Sequence, residues 1–212
     1  MKKIIWISVL AIMACDKKLP AESSHEKKVT DSVSGLQRQP LPENLVRWMD
    51  FYRAENPDFN FSGFTLKDSL QMMVRAGNVP AVYEEDFEEV YKKFLIYSAD
   101  SLKYVDFHSY HWSLDENQNP SFEADQQVNL VDMEKKEISQ IAFFGPSFTI
   151  EEGYWEDDST IVLLGNTYEK VPFYMKFDLE EKIQKIYQYP DTLTVSGNYT
   201  EMRLKQHGIG GN

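Results

Sequence analysis

The first third of the chain repeats its apolar residues at helical spacing, and from about Leu95 the period shortens toward that of strands. Leu45, Trp48, Met49 and Tyr52 would share one face of a helix entered at Pro42, and Asn56-Pro57 ends the run. Thr65, with Asp68 three residues on, predicts a second helix whose stripe is Leu66, Leu70, Met73 and Val74 and whose stop is Gly77. A third is expected after Pro80. Glu84, Glu85 and Asp86 suit its positive dipole end, and Phe87, Val90, Tyr91 and Phe94 make its apolar side. Stripes of this kind are core residues first and partner grooves second. Beyond Leu95, Phe173, Met175, Phe177 and Leu179 alternate with Tyr174, Lys176 and Asp178, the pattern of a strand with one wet face. Val128–Met133 is apolar apart from Asn129 and Asp132, and Ile161–Leu164 is apolar at every position, so these strands need cover on both faces. Tyr199–His207 predicts a closing helix with Gly208 as its stop.

The strand region carries an internal echo. The acidic turn after Tyr97, at Ser98–Ser101, matches the one after Trp155, and Asp132–Ile141 resembles Asp178–Ile186. The first match is a shift of 58 residues and the second a shift of 46, which places an enlarged loop at Glu116–Gln127 of the first copy. Each copy would hold four strands and resembles a blade of a β-propeller, whose repeat is about 40 to 50 residues. Two blades cannot close a propeller, so one curved sheet or two facing sheets is the physical alternative. The expected fold class is therefore α+β, with N-terminal helices packed on an antiparallel meander of about eight strands made of two blade-like repeats.

Residues 1–15 change the picture. Lys2 and Lys3 precede an apolar run, Ile4–Met13, that is too short to span a bilayer and reads as a secretion signal. Ile12-Met13-Ala14-Cys15 resembles the lipobox of bacterial lipoproteins, a class in which the signal is removed and the cysteine is lipidated. The resemblance covers these fifteen residues and implies an address: a bacterial cell envelope, lipid-anchored, on the outer membrane. Cys15 is the only cysteine of the chain, so no internal disulfide competes for it. Residues 16–40 are polar, mixed in charge and poor in aromatics, a flexible tether. Residues 41–212 then form a single globular domain.

The formal charge of −12 would repel the phosphate backbone and excludes nucleic acid as a partner. The membrane, through the lipid anchor, and an envelope protein or glycan remain as partners. No nucleophile elbow, zinc-binding helix, phosphate loop or calcium loop is present, and no cofactor or metal is expected. Two clusters stand out. Asp106, His108 and His111 form a dense polar-aromatic group; on a strand Asp106 and His108 share a face and His111 points to the other, so a metal site needs a third ligand from elsewhere and a hydrolytic triad needs a serine that no local motif marks. Glu152 and Asp157, with Glu151 and Asp158, bracket Tyr154 and Trp155, an acidic and aromatic surface of the kind that contacts sugars. Their spacing within one strand and turn does not set two carboxylates across a bond, so no catalytic residue is assigned. The expected function is a membrane-anchored, non-catalytic binding or structural module. A small envelope hydrolase acting on glycans and an inhibitor of a cationic enzyme such as lysozyme are the alternatives.

Overall fold

The computed structural model describes residues 40–210. The signal with Cys15 and the tether up to residue 39 lie outside the described residues, while the remainder, Pro40–Asn212, forms a compact unit of its own. In chain order its elements are helix α1 (Glu43–Arg53), strands β1 (Thr65–Gln71) and β2 (Arg75–Ala76), a 3-10 turn at Glu89–Phe94, then β3 (Ile96–Tyr97), β4 (Lys103–Asp106), β5 (Trp112–Leu114), β6 (Pro120–Phe122), β7 (Gln126–Asp132), β8 (Glu137–Phe144), β9 (Phe148–Trp155), β10 (Thr160–Thr167), β11 (Pro172–Asp178), β12 (Ile183–Gln188) and helix α2 (Tyr199–Gln206).

The expected α+β class is overturned, because the molecule is a β-sandwich. One antiparallel sheet has the order β1-β12-β11-β10-β9 and the other β2-β8-β7-β4-β3, with β5 and β6 as a separate hairpin. Of the three helices expected in the first third, only α1 forms. Leu66 and Leu70 are four residues apart, a spacing that suits a strand as well as a helix, and the segment becomes the exposed edge strand β1, paired with β12. The third segment forms turns and the 3-10 stretch Glu89–Phe94, in which Tyr91 and Phe94, three apart, are buried.

The two repeats are not blades of a propeller. Each sheet contains one four-strand meander, β3-β4-β7-β8 or β9-β10-β11-β12, extended by β2 or β1 at the edge of its last strand. Blades stand side by side around an axis, whereas these sheets stack face to face. The hairpin β5-β6 sits in the connection between β4 and β7 and makes the first copy longer.

The sheets share a core in which Val105, Val128 and Ile141 of one meet Ile150, Ile161, Leu163, Phe173, Met175 and Phe177 of the other. Ile161–Leu164 is apolar throughout because its two faces have different covers. Ile161 and Leu163 face the second sheet, while Val162 and Leu164 join Leu45, Trp48, Met49 and Tyr52 of α1 on the outside. On the outer face of the other sheet, Tyr104 and Val131 are covered by Ala81 and Leu95.

Candidate functional site

The chemistry of the molecule concentrates where β9 meets both helices, and one irregularity in β9 causes it. Ile150 pairs with Gly165 and Glu152 with Leu164, so Glu151 is the unpaired residue of a β-bulge. A bulge lets two consecutive side chains leave the same side of a strand. Ile150 enters the sandwich core, Glu151 and Glu152 both reach outward to the helices, and the alternation resumes with Tyr154 outside and Trp155 inside. The partner position on β10 has to be glycine, since a Cβ on Gly165 would run into the Thr149 carbonyl.

Glu151 Oε2 accepts hydrogen bonds from Trp48 Nε1 at 2.8 Å and from the Tyr52 hydroxyl at 2.7 Å. Burial raises its carboxyl to about 7, because the charged form loses water. The Tyr52 and Trp48 bonds oppose that rise and the Glu152 charge adds to it. Glu151 also lines a cavity of about 210 Å³ with Thr149, Asn166 and Asn198. Asn166 Nδ2 donates to the Tyr52 hydroxyl oxygen at 3.1 Å, which fixes the phenol as donor to Glu151.

Glu152 is fully buried and its oxygens are taken. Oε2 accepts from Arg47 Nη2 and from the Tyr199 hydroxyl, both at 2.9 Å, and Oε1 lies 3.4 Å from Arg203 Nη1. Arg203 is itself buried, and that burial lowers its pKa, with the Glu152 charge opposing. Arg203 Nη1 is also 3.0 Å from His108 Nε2, while Trp112 Nε1 donates to His108 Nδ1 at 3.1 Å. Both imidazole nitrogens thus face donors, and a neutral ring can accept from only one of them. Burial, with help from the Arg203 charge, pushes His108 well below the usual histidine range.

Arg203 therefore joins the two clusters that the sequence suggested separately, Glu152 from one and His108 from the other. The remaining members stay apart. Asp106 accepts from the backbone N–H groups of His108 at 2.8 Å and Ser109 at 3.1 Å, and from the Ser109 hydroxyl, so it shapes a turn. His111 Nδ1 lies 3.2 Å from the Asp125 carbonyl. Tyr154 packs under α1, and Trp155 packs on the sandwich core and donates to the Ile96 carbonyl at 2.9 Å. Asp157 accepts from Ser159 N within the β9–β10 turn. Among the described residues, no three His, Cys, Asp or Glu side chains gather as metal ligands do.

No protein family, curated protein or solved structure matches this chain. The bonds around the cluster close the edge of β9. The Gln126 amide accepts from Ile150 N at 2.7 Å and donates to its carbonyl at 3.0 Å, as a neighbouring strand would. Asn44 Nδ2 caps the Gly153 carbonyl at 2.7 Å. An edge strand left bare invites pairing with other chains, and here side chains from α1, α2 and β7 occupy it.

Sequence pattern alone does not single out Arg47 or Arg203, and it marks Trp48, Tyr52 and Tyr199 only as apolar-face residues of helices. A signal was present in Ile150-Glu151-Glu152-Gly153-Tyr154, where two consecutive acids interrupt the alternation of a strand. Arg47 and Arg203 each stand between apolar neighbours on a short helix.

Proposed function

We propose that the chain is a lipid-anchored protein of a bacterial envelope that acts as a non-catalytic binding or structural module. The observation that carries this reading is Ile12-Met13-Ala14-Cys15, set directly behind the apolar run and the two lysines. Several acyl chains on one cysteine hold a protein durably on a membrane, at about 0.8 kcal/mol per buried methylene. An acidic body does not adhere to anionic headgroups by charge, so the attachment comes from the lipid. The buried cluster supports the non-catalytic part. Glu152 is saturated by two arginines and a tyrosine. Glycan hydrolysis needs carboxyl groups on opposite sides of a bond, and Glu151 and Glu152 are consecutive on one strand.

Growth of a producing bacterium with labelled palmitate tests the anchor. The wild-type chain should carry label and sediment with membranes, and Cys15→Ala should do neither. A wild-type chain without label, or label that survives Cys15→Ala, would overturn the reading.

A further inference from the structure

The two sides of the sandwich are closed differently. On the β9 side, side chains fill the edge and Trp155 bonds across to β3. On the other side, β1 and β2 belong to different sheets, and Met72, Met73 and Val74 cross from one to the other. β2 pairs only with Ser139 and Gln140, so residues 141–144 of β8 have no strand partner on that side.

A cavity of about 530 Å³ opens there, within the range of about 300 to 1,000 Å³ common for small-molecule sites. Ile141 and Met175, core residues of opposite sheets, both line it, so its floor is the seam of the sandwich. Leu70, Met73 and Phe143 also line it and remain unusually open, at 42%, 74% and 50% exposure. Glutamines and a single charged residue, Arg75, complete the wall. Arg75 is exposed and forms no ion pair among the described residues. In a chain of net charge −12, a lone cation beside an apolar cleft selects for an anion attached to hydrocarbon. A second cavity, lined by Lys103, Asp132, Lys135, Glu137 and Lys182, carries both signs and has no such preference.

We propose that the open seam binds one long-chain acyl anion, with its carboxylate at Arg75 and its chain laid over Met73 and Phe143 toward Ile141 and Met175. This deepens the binding-module reading and rests on it by naming the ligand class. The apolar contact supplies affinity, and the guanidinium supplies selection for the anion.

Residues 16–212 with Cys15 removed contain the whole compact unit and are titrated with cis-parinaric acid, a fluorescent fatty acid, and with its uncharged methyl ester. Saturable enhancement at one probe per chain is expected. Arg75→Glu should weaken the acid about tenfold and leave the ester unchanged, since a hydrogen bond to a charged group accounts for a factor of that order. Met73→Asp and Phe143→Asp, at exposed positions, should weaken both probes with unchanged thermal melts. Absence of saturable binding, or variants that bind as the wild type does, would overturn the proposal. Equal loss of acid and ester in Arg75→Glu overturns the headgroup assignment. Displacement of the probe by an extended apolar peptide, and not by oleate, would instead assign the seam to a strand-adding partner. Palmitate labelling at Cys15 is read separately, so a failure here with label present leaves the anchor standing.

Discussion

Replacing Glu151 by glutamine should stabilise the protein above neutral pH and leave it unchanged in acid. The carboxyl has an ordinary value of 4.5 and is raised to about 7 by burial in the folded state. At 1.36 kcal/mol per pH unit, that difference corresponds to about 3 kcal/mol. The direction follows from where the proton sits. Below pH 4.5 the group is protonated in the folded and unfolded chains alike, and its contribution to stability is fully present. Between 4.5 and about 7 the unfolded chain releases the proton while the folded chain keeps it, so stability falls as pH rises. Above about 7 the loss is complete. A glutamine amide is neutral throughout, and its carbonyl oxygen can still accept from Trp48 Nε1 and the Tyr52 hydroxyl, the two bonds that Glu151 Oε2 now takes. Those bonds are weaker to an amide than to a carboxylate, which lowers the expected gain to about 1 to 3 kcal/mol. Urea denaturation followed by far-ultraviolet circular dichroism, from about pH 4 to about pH 8, gives both stability curves. Titrations of Asp106, His108 and His111 occur in both proteins and cancel in the difference. A difference that is flat across this range, or a variant less stable than the wild type at the alkaline end, would refute the argument.

Two other substitutions address neighbouring parts of the same strand. Glu152→Ala leaves the guanidinium of Arg203 buried without its anion and should cost about 3 to 5 kcal/mol in the same denaturation assay; adding Arg203→Met should recover part of that loss, and strict additivity of the two changes would count against the ion pair. Trp155→Ala removes a large side chain from the sandwich core and should cost about 3 kcal/mol, whereas Trp155→Phe, which loses mainly the bond to the Ile96 carbonyl, should cost about 1 kcal/mol. A Trp155→Ala protein that melts with the wild type would return this residue to the surface and to ligand contact.

How far the sequence could be read depended on whether local pattern and tertiary partner agreed. The stripe Leu45, Trp48, Met49 and Tyr52 repeats at a spacing that only a helix satisfies, and α1 buries those four residues. Leu66 and Leu70 satisfy both periods, and the choice between them is made by β12, more than a hundred residues away, which offers β1 a free edge. The meander was visible because acidic turns recur between apolar runs, as at Ser98–Ser101 and Glu156–Ser159. The stacking of the two sheets was not, because a strand records that a face is covered and does not record by what. Ile161–Leu164 demands two covers and is equally consistent with helices on both. The buried cluster was half legible. Glu152 and His108 could be picked out by type, but their link through Arg203 depends on α2 returning from the end of the chain.

The bulge at Glu151 explains why the charged cluster lies where it does and why it argues for architecture. If β9 ran through Glu151 as a regular strand, strict alternation from Ile150 would turn Glu152 into the sandwich among Ile161, Leu163 and Phe177 and leave Trp155 outside with α1. The bulge turns both acids outward and keeps Trp155 in the core. Once outward, the acids lie under helices and need donors, which Trp48, Tyr52, Arg47, Tyr199 and Arg203 provide. Every one of those donors belongs to α1 or α2, so the pair of acids binds both helices to the edge of one sheet. The consequence is a division of the molecule: the β9 side spends its polar groups on closure, and the β1/β2 side keeps apolar surface open to solvent beside Arg75, which has no ion-pair partner among the described residues. The seam joins an apolar wall to a cation with no carboxylate, whereas the cavity beside α2 that joins Phe51 and Met202 to Lys205 also holds Glu201.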